Sequence, residues 1–167
     1  LDLSDPRDPR LLGELKIPGF SEYLHPLGDG LLLGVGREAD PTTGVATGLK
    51  VSLFDVSDPA SMVELDQVLV PGAWSPVGSD HRAFLWDARR SQAVVPVDLG
   101  GGSGPAMVLR VVDRKLERTA EVRHGDAVGV TPLRSLVVDG DLWTLSPVGL
   151  ASTSADEPGT LEAVLPF

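Results

Sequence analysis

Residues 4–19 (SDPRDPRLLGELKIPG) and 57–72 (SDPASMVELDQVLVPG) align without a gap, with Ser-Asp-Pro opening each and Pro-Gly closing each. Both ends give the same offset of 53 (57 − 4 and 72 − 19). A chain that repeats itself at about 40 to 55 residues builds an array of supersecondary units, such as propeller blades. A weaker third copy, residues 111–125 (VVDRKLERTAEVRHG), keeps the turn aspartate and the alternating strand. A fourth closes the chain, with Leu165-Pro166 in the place of Ile17-Pro18 and Val70-Pro71.

The units are β rather than helical. Val51 and Leu53 alternate with Lys50 and Ser52, and such runs sit between Gly, Pro and Asp breaks. Alternation bounded by turn residues is the pattern of half-buried strands. No long stretch free of Gly and Pro carries an apolar stripe at helical spacing. The 19 glycines and 14 prolines suit many short strands and turns.

The fold expected is therefore all-β: about three four-stranded antiparallel blades of a β-propeller, plus the end of a preceding blade. Residues 1–19 form that end, and the blades occupy 20–72, 76–125 and 130–167. Their strands are expected at 22–27, 31–38, 49–56 and 62–70; at 81–87, 92–98, 106–113 and 116–122; and at 134–138, 142–146, 149–154 and 160–167. Gly28-Asp29-Gly30 and Asp139-Gly140 read as tight hairpin turns, because Asp and Gly tolerate the positive φ such turns need. Residues 39–48 and the Gly100–Gly104 stretch read as longer connections, the latter a flexible one.

A propeller closes with about 4 to 8 blades. The chain also starts at Leu1 without a Met. It reads as a fragment, completed by the other blades of a parent chain or by self-association, because unclosed blades leave edges and faces open.

A net charge of −10 and a pI of about 4.6 make a field that repels phosphate backbones and anionic lipid. Nucleic-acid binding is set aside on that ground. Membrane insertion is set aside because no apolar run approaches the roughly 18 residues a span needs. The absence of cysteine removes disulfides, zinc–thiolate sites and thiol nucleophiles.

Several segments resemble one family: residues 17–38 (IPGFSEYLHPLGDGLLLGVGRE), 47–59 (TGLKVSLFDVSDP), 79–87 (SDHRAFLWD) and 134–146 (RSLVVDGDLWTLS). They are similar to secreted bacterial and archaeal proteins with a C-terminal β-propeller domain. The resemblance implies export to the cell surface and brings no catalytic residue with it.

Candidate sites are sparse. His25, His81 and His124 lack the paired spacing of a metal site, so no metal or cofactor is expected, and a structural role between blades is the plainer one. Asp2, Asp5, Asp8, Asp55 and Asp58 lack the frame of a calcium loop and suit turns. Ser79-Asp80-His81 holds the residue types of a triad, but neighbours on a strand point to opposite faces. Gly34-Val35-Gly36 and the 100–104 glycines open no helix and so cradle no phosphate. Among Tyr23, Trp74, Trp86 and Trp143, the inter-blade core claims Trp86 and Trp143, and Trp74 is the aromatic expected at the surface. The binding residues proposed from sequence are Trp74, His25 and His81, with no catalytic residue. The expected function is a non-catalytic extracellular scaffold that binds protein or glycan. The alternative is a hydrolase or lyase whose site, built on His25, His81 and nearby acids, is shared with further blades.

Overall fold

The computed structural model describes residues 1–125 and 128–167. Among the described residues twelve strands build three antiparallel sheets, each in simple up-and-down order. The first blade contains β1 (Phe20–Gly28), β2 (Leu31–Ala39), β3 (Ala46–Asp55) and β4 (Val63–Pro71). The second contains β5 (Leu85–Asp87), β6 (Gln92–Pro96), β7 (Ala106–Val112) and β8 (Lys115–Val122). The third contains β9 (Arg134–Val138), β10 (Asp141–Ser146), β11 (Gly149–Ser154) and β12 (Ala163–Pro166).

Strand alternation turns this order into a stack. In the first blade Leu33, Val35, Val51 and Leu53 share one face and pack on Ala93, Val95, Met107 and Leu109 of the second. The residues between them, Val94, Ala106 and Val108, point the other way and pack with Leu142 and Ala155 of the third blade. The central strand β6 of the middle sheet is thus buried on both faces, which is why it is apolar from Ala93 to Pro96 where β1 alternates. Each fully buried aliphatic side chain contributes about 1.5–3 kcal/mol, so the two seams hold the blades together.

The repeat is visible as hydrogen bonds. Asp5 Oδ1 accepts from Arg7 N at 3.0 Å, and Asp58 Oδ1 accepts from Ala60 N at 2.9 Å. Asp2 and Asp55 accept from the amides of Ser4 and Ser57, both at 2.9 Å. Asp at the first position of a turn and Pro at the second preset this geometry. Gly19 and Gly72 carry φ of 77° and 72°, a region closed to most side chains. Even the bridge Asp2–Arg10 repeats the pair Asp55–Val63.

Several local expectations need correction. Of residues 1–19, read as the end of a preceding blade, only Asp2 and Arg10 pair, in a single bridge: the counterpart of β3 is represented there only by Leu1 and Asp2, so Arg10 alone finds a partner. The strand expected over 81–87 shortens to Leu85–Asp87. Ser75 Oγ accepts from Val77 N and Asp80 Oδ1 from Arg82 N, and these caps with Pro76 wind the chain into 3-10 turns at Pro76–Gly78 and His81–Ala83. The outer strand expected over 160–167 contracts to Ala163–Pro166.

Candidate functional site

Tyr23 and His25, two apart on β1, face the second blade. Tyr23 hydroxyl and His25 Nδ1 lie 2.9 Å apart. Their rings pack against His81, Phe84 and Trp86: Tyr23–His81 centroids are 4.8 Å apart, His25–Phe84 5.0 Å and His25–Trp86 6.4 Å. The rings are tilted by 36° to 53° in these pairs, so they fill the inner end of the first seam rather than present a flat platform. His25 is half-buried, and desolvation holds its pKa below the usual histidine value. His81 stays exposed at the rim of the cluster. Trp86 and Trp143, expected in the core, are half-buried.

His124 follows β8 and reaches across to the third blade. Its Nε2 lies 2.7 Å from Thr144 Oγ1, and Ser146 Oγ lies 2.8 Å from its Nδ1. Thr144 donates onward to the carbonyl of Ala151, so Thr144 accepts from Nε2–H and Ser146 donates to Nδ1. Both ring nitrogens are therefore committed between blades, and burial again lowers the pKa. Asp126, which follows this histidine in sequence, lies outside the described residues. Among the described residues no histidine is bonded to a carboxylate, and no group of three or more His, Asp or Glu is placed to hold a metal ion.

The remaining acids named from sequence serve turns and ion pairs. Asp80 caps a turn and pairs with Arg134 of β9, and these contacts lower its pKa. Asp2 and Asp55 are lowered by the hydrogen bonds of their own turns, led by Ser4 and Ser57. Gly34 and Gly36 serve packing: a Cβ at Gly36 would lie 2.1 Å from the Phe20 carbonyl oxygen. An open apolar trough of about 630 Å³ lies between the 15–20 segment and the outward face of the first blade, lined by Leu15, Ile17, Leu24 and Phe54 among others.

The loops at the other end of the strands from the Asp-Pro corners form the best-defined surface. Trp74, on the link between the first two blades, exchanges both main-chain hydrogen bonds with Asp98, at 3.0 and 2.8 Å. Asp98 is buried, and its Oδ1 accepts from the amides of Gly100 and Gly102. Gly100, Gly101 and Gly102 have φ of 120°, 68° and 73°, so only glycine follows this path without strain. The carbonyls of Gly101 and Gly102 accept from Gly129 and Thr131 of the link to the third blade. What the sequence suggested as a flexible connection is thus tied on both sides. From this framework project Trp74 (39% exposed), Leu99 (50%) and Val128 (79%). Sequence reasoning selected Trp74 but passed over Leu99 and Val128, whose signal was an aliphatic residue inside a Gly-rich connection.

Among the described residues no helix is long and apolar enough to cross a membrane. A family model described as "Beta propeller domain" matches residues 1–157. An uncharacterized protein of Methanocaldococcus jannaschii is 38% identical over 146 residues, covering 87% of this chain and 21% of that protein. An uncharacterized protein of Archaeoglobus fulgidus is 44% identical over 101 residues, 60% of this chain and 15% of that protein. The chain spans about a fifth or less of the length of these curated relatives.

Proposed function

The chain belongs to the beta-propeller domain family, and from that premise we propose that it is a non-catalytic, extracellular recognition module binding a protein or glycan through its loop end. The observation that carries this reading is the tethered platform of Trp74, Asp98 and Gly100–Gly102, which holds apolar side chains out toward solvent. Loops ordered before binding lose less entropy on association. The surface location follows from the resemblance to secreted proteins. A hydrolase or lyase reading needs His25 or His81 beside a carboxylate. Among the described residues His25 bonds to Tyr23 and neither histidine meets an acid.

The test is direct. The purified chain is presented to a glycan array and to proteins extracted from the surface of its own culture, alongside ester, glycoside and polysaccharide substrates. Saturable binding without turnover supports the reading. Turnover of a substrate, abolished by His25→Ala or His81→Ala, would overturn it.

A further inference from the structure

We propose that the seam between the second and third blades is a hinge, at which the third blade swings off the second while the first seam stays closed. Such a motion is independent of what the loop end binds. Both seams are apolar, but they are filled differently. The first holds long side chains, among them Leu33, Leu49, Leu53, Met107 and Leu109, with Tyr23, Phe84 and Trp86 packed against them. The second holds Val94, Val108, Val122 and Leu142 with Ala106 and Ala155, and no Phe, Tyr or Trp among the described residues packs on it. Apolar stabilisation scales with the area covered, so the second seam gains less on closing.

Polar groups fasten it instead. At the corner end the Arg90 guanidinium, itself paired with Asp87, donates to Asp156 Oδ1 at 2.6 Å, and Arg110 donates to the Asp156 carbonyl. Toward the loop end His124 reaches Thr144 and Ser146, and Arg134 of β9 pairs with Asp80. The Asp156 carboxylate and the Arg134–Asp80 pair are open to solvent, where ion pairs contribute little. The same seam holds buried polar atoms that find no hydrogen bond among the described residues. They are Gln92 Nε2, Ser135 Oγ and, in the link, Thr131 Oγ1. Gln92 shares the face of Val94, and Ser135 the face of Val137, so both point into the seam. The other such atoms, on Glu38 and Glu64, lie in the first blade, where both carboxylates pair with Lys50. Water reaches the unpaired groups of the seam when it opens, which lowers the cost of opening. The pivot is short. Thr131 N donates to the Gly102 carbonyl of the second blade at 2.8 Å, and Leu133 N to the Leu145 carbonyl of the third at 2.7 Å. The chain passes from one tie to the other through Pro132, so rotation of the bonds around it moves the third blade and keeps both ties.

The absence of cysteine makes the motion measurable by thiol labelling. Ala93 and Ala106 lie in the same sheet, 1% and 0% exposed, Ala93 against the first blade and Ala106 against the third. Ala155 is buried in the second seam from the side of the third blade. Ala93→Cys, Ala106→Cys and Ala155→Cys are treated separately with iodoacetamide under native conditions. Unfolding of the middle sheet exposes both of its faces together, whereas the hinge exposes one. The expected result is modification of Ala106→Cys and Ala155→Cys about tenfold or more faster than of Ala93→Cys. Adding His124→Ala, which removes one fastening of the seam, is expected to speed both second-seam positions about fivefold. Labelling of Ala93→Cys as fast as the other two overturns the hinge. So does fast labelling at only one wall of the second seam, which marks a local disturbance by the substitution. Rates at the second seam that His124→Ala leaves unchanged overturn it as well.

Discussion

His124 shows how a residue that attracts a chemical explanation can be occupied structurally. Its imidazole bridges the end of β8 to Thr144 and Ser146 of β10, and both hydroxyls are buried. Replacing it with Ala removes two hydrogen bonds, but Thr144 keeps the Ala151 carbonyl and Ser146 keeps the Val148 amide. The cost is therefore set near the lower end for buried groups, about 1–2 kcal/mol, read as a fall in the urea midpoint. The pH dependence has a definite sign. Burial lowers the folded-state pKa of His124 and His25. Above about pH 6.5, the unfolded value, both states are neutral and stability is complete. As pH falls below it the unfolded chain takes up protons that the folded chain resists, so the melting temperature drops. The carboxylates of Asp2, Asp40, Asp55 and Asp80, hydrogen-bonded in their turns, and of Asp156, bonded by Arg90, are also lowered. Their contribution is lost only below about pH 3.8, a separate acid limb. A melting temperature that is flat from pH 7 to 5, or that rises, contradicts the assignment.

At the level of the element, hairpin turns show what the sequence discloses. Asp29-Gly30 and Asp139-Gly140 were legible because Asp-Gly matches the positive φ that the tight turn demands, and they adopt 50° and 70°, and 52° and 97°. Asp113-Arg114 forms the same turn with φ of 48° and 63°, but arginine gives no sign of it. Residues 81–87 failed for a related reason: an apolar run reads as strand, while the Ser75 and Asp80 caps that divert the chain compete silently. The platform was legible only at Trp74, because long-range main-chain pairing between Asp98, Gly101 and Gly129 has no local signature. Arg114 offers a test of the turn. Its left-handed conformation costs about 1–2 kcal/mol, whereas its ion pair with Asp55, with the Arg114 side chain 51% exposed, is worth about 0–1 kcal/mol. Arg114→Gly is expected to raise stability by up to about 1 kcal/mol, once the added freedom of the unfolded chain is included. A lower denaturation midpoint would show that the ion pair outweighs the strain.

On the scale of the molecule, the two seams and the two outward faces have the same chemistry and opposite fates. Strand register places Leu24, Leu32 and Phe54 on the face of the first blade away from the second, with Leu24 50% exposed. It places Leu136, Trp143, Leu145, Leu150 and Leu165 on the corresponding face of the third, with Leu165 52% exposed. Faces of this kind are buried at both seams, where each Å² of apolar area covered contributes about 25 cal/mol, and self-association of the isolated chain is the expected consequence. A net charge of −10 works against that drive, since like-charged copies repel until salt screens them over about 8–10 Å. The two forces predict a specific pattern. Association, followed by sedimentation velocity, should increase with protein concentration and with added sodium chloride, the reverse of what ion pairing between copies would give. Leu24→Lys together with Leu165→Lys interrupts one apolar face at each end without touching either seam, and should leave a monomer with an unchanged melting temperature. A parent chain that stays monomeric at high salt would mean that these faces, unlike the seams they resemble, do not drive association.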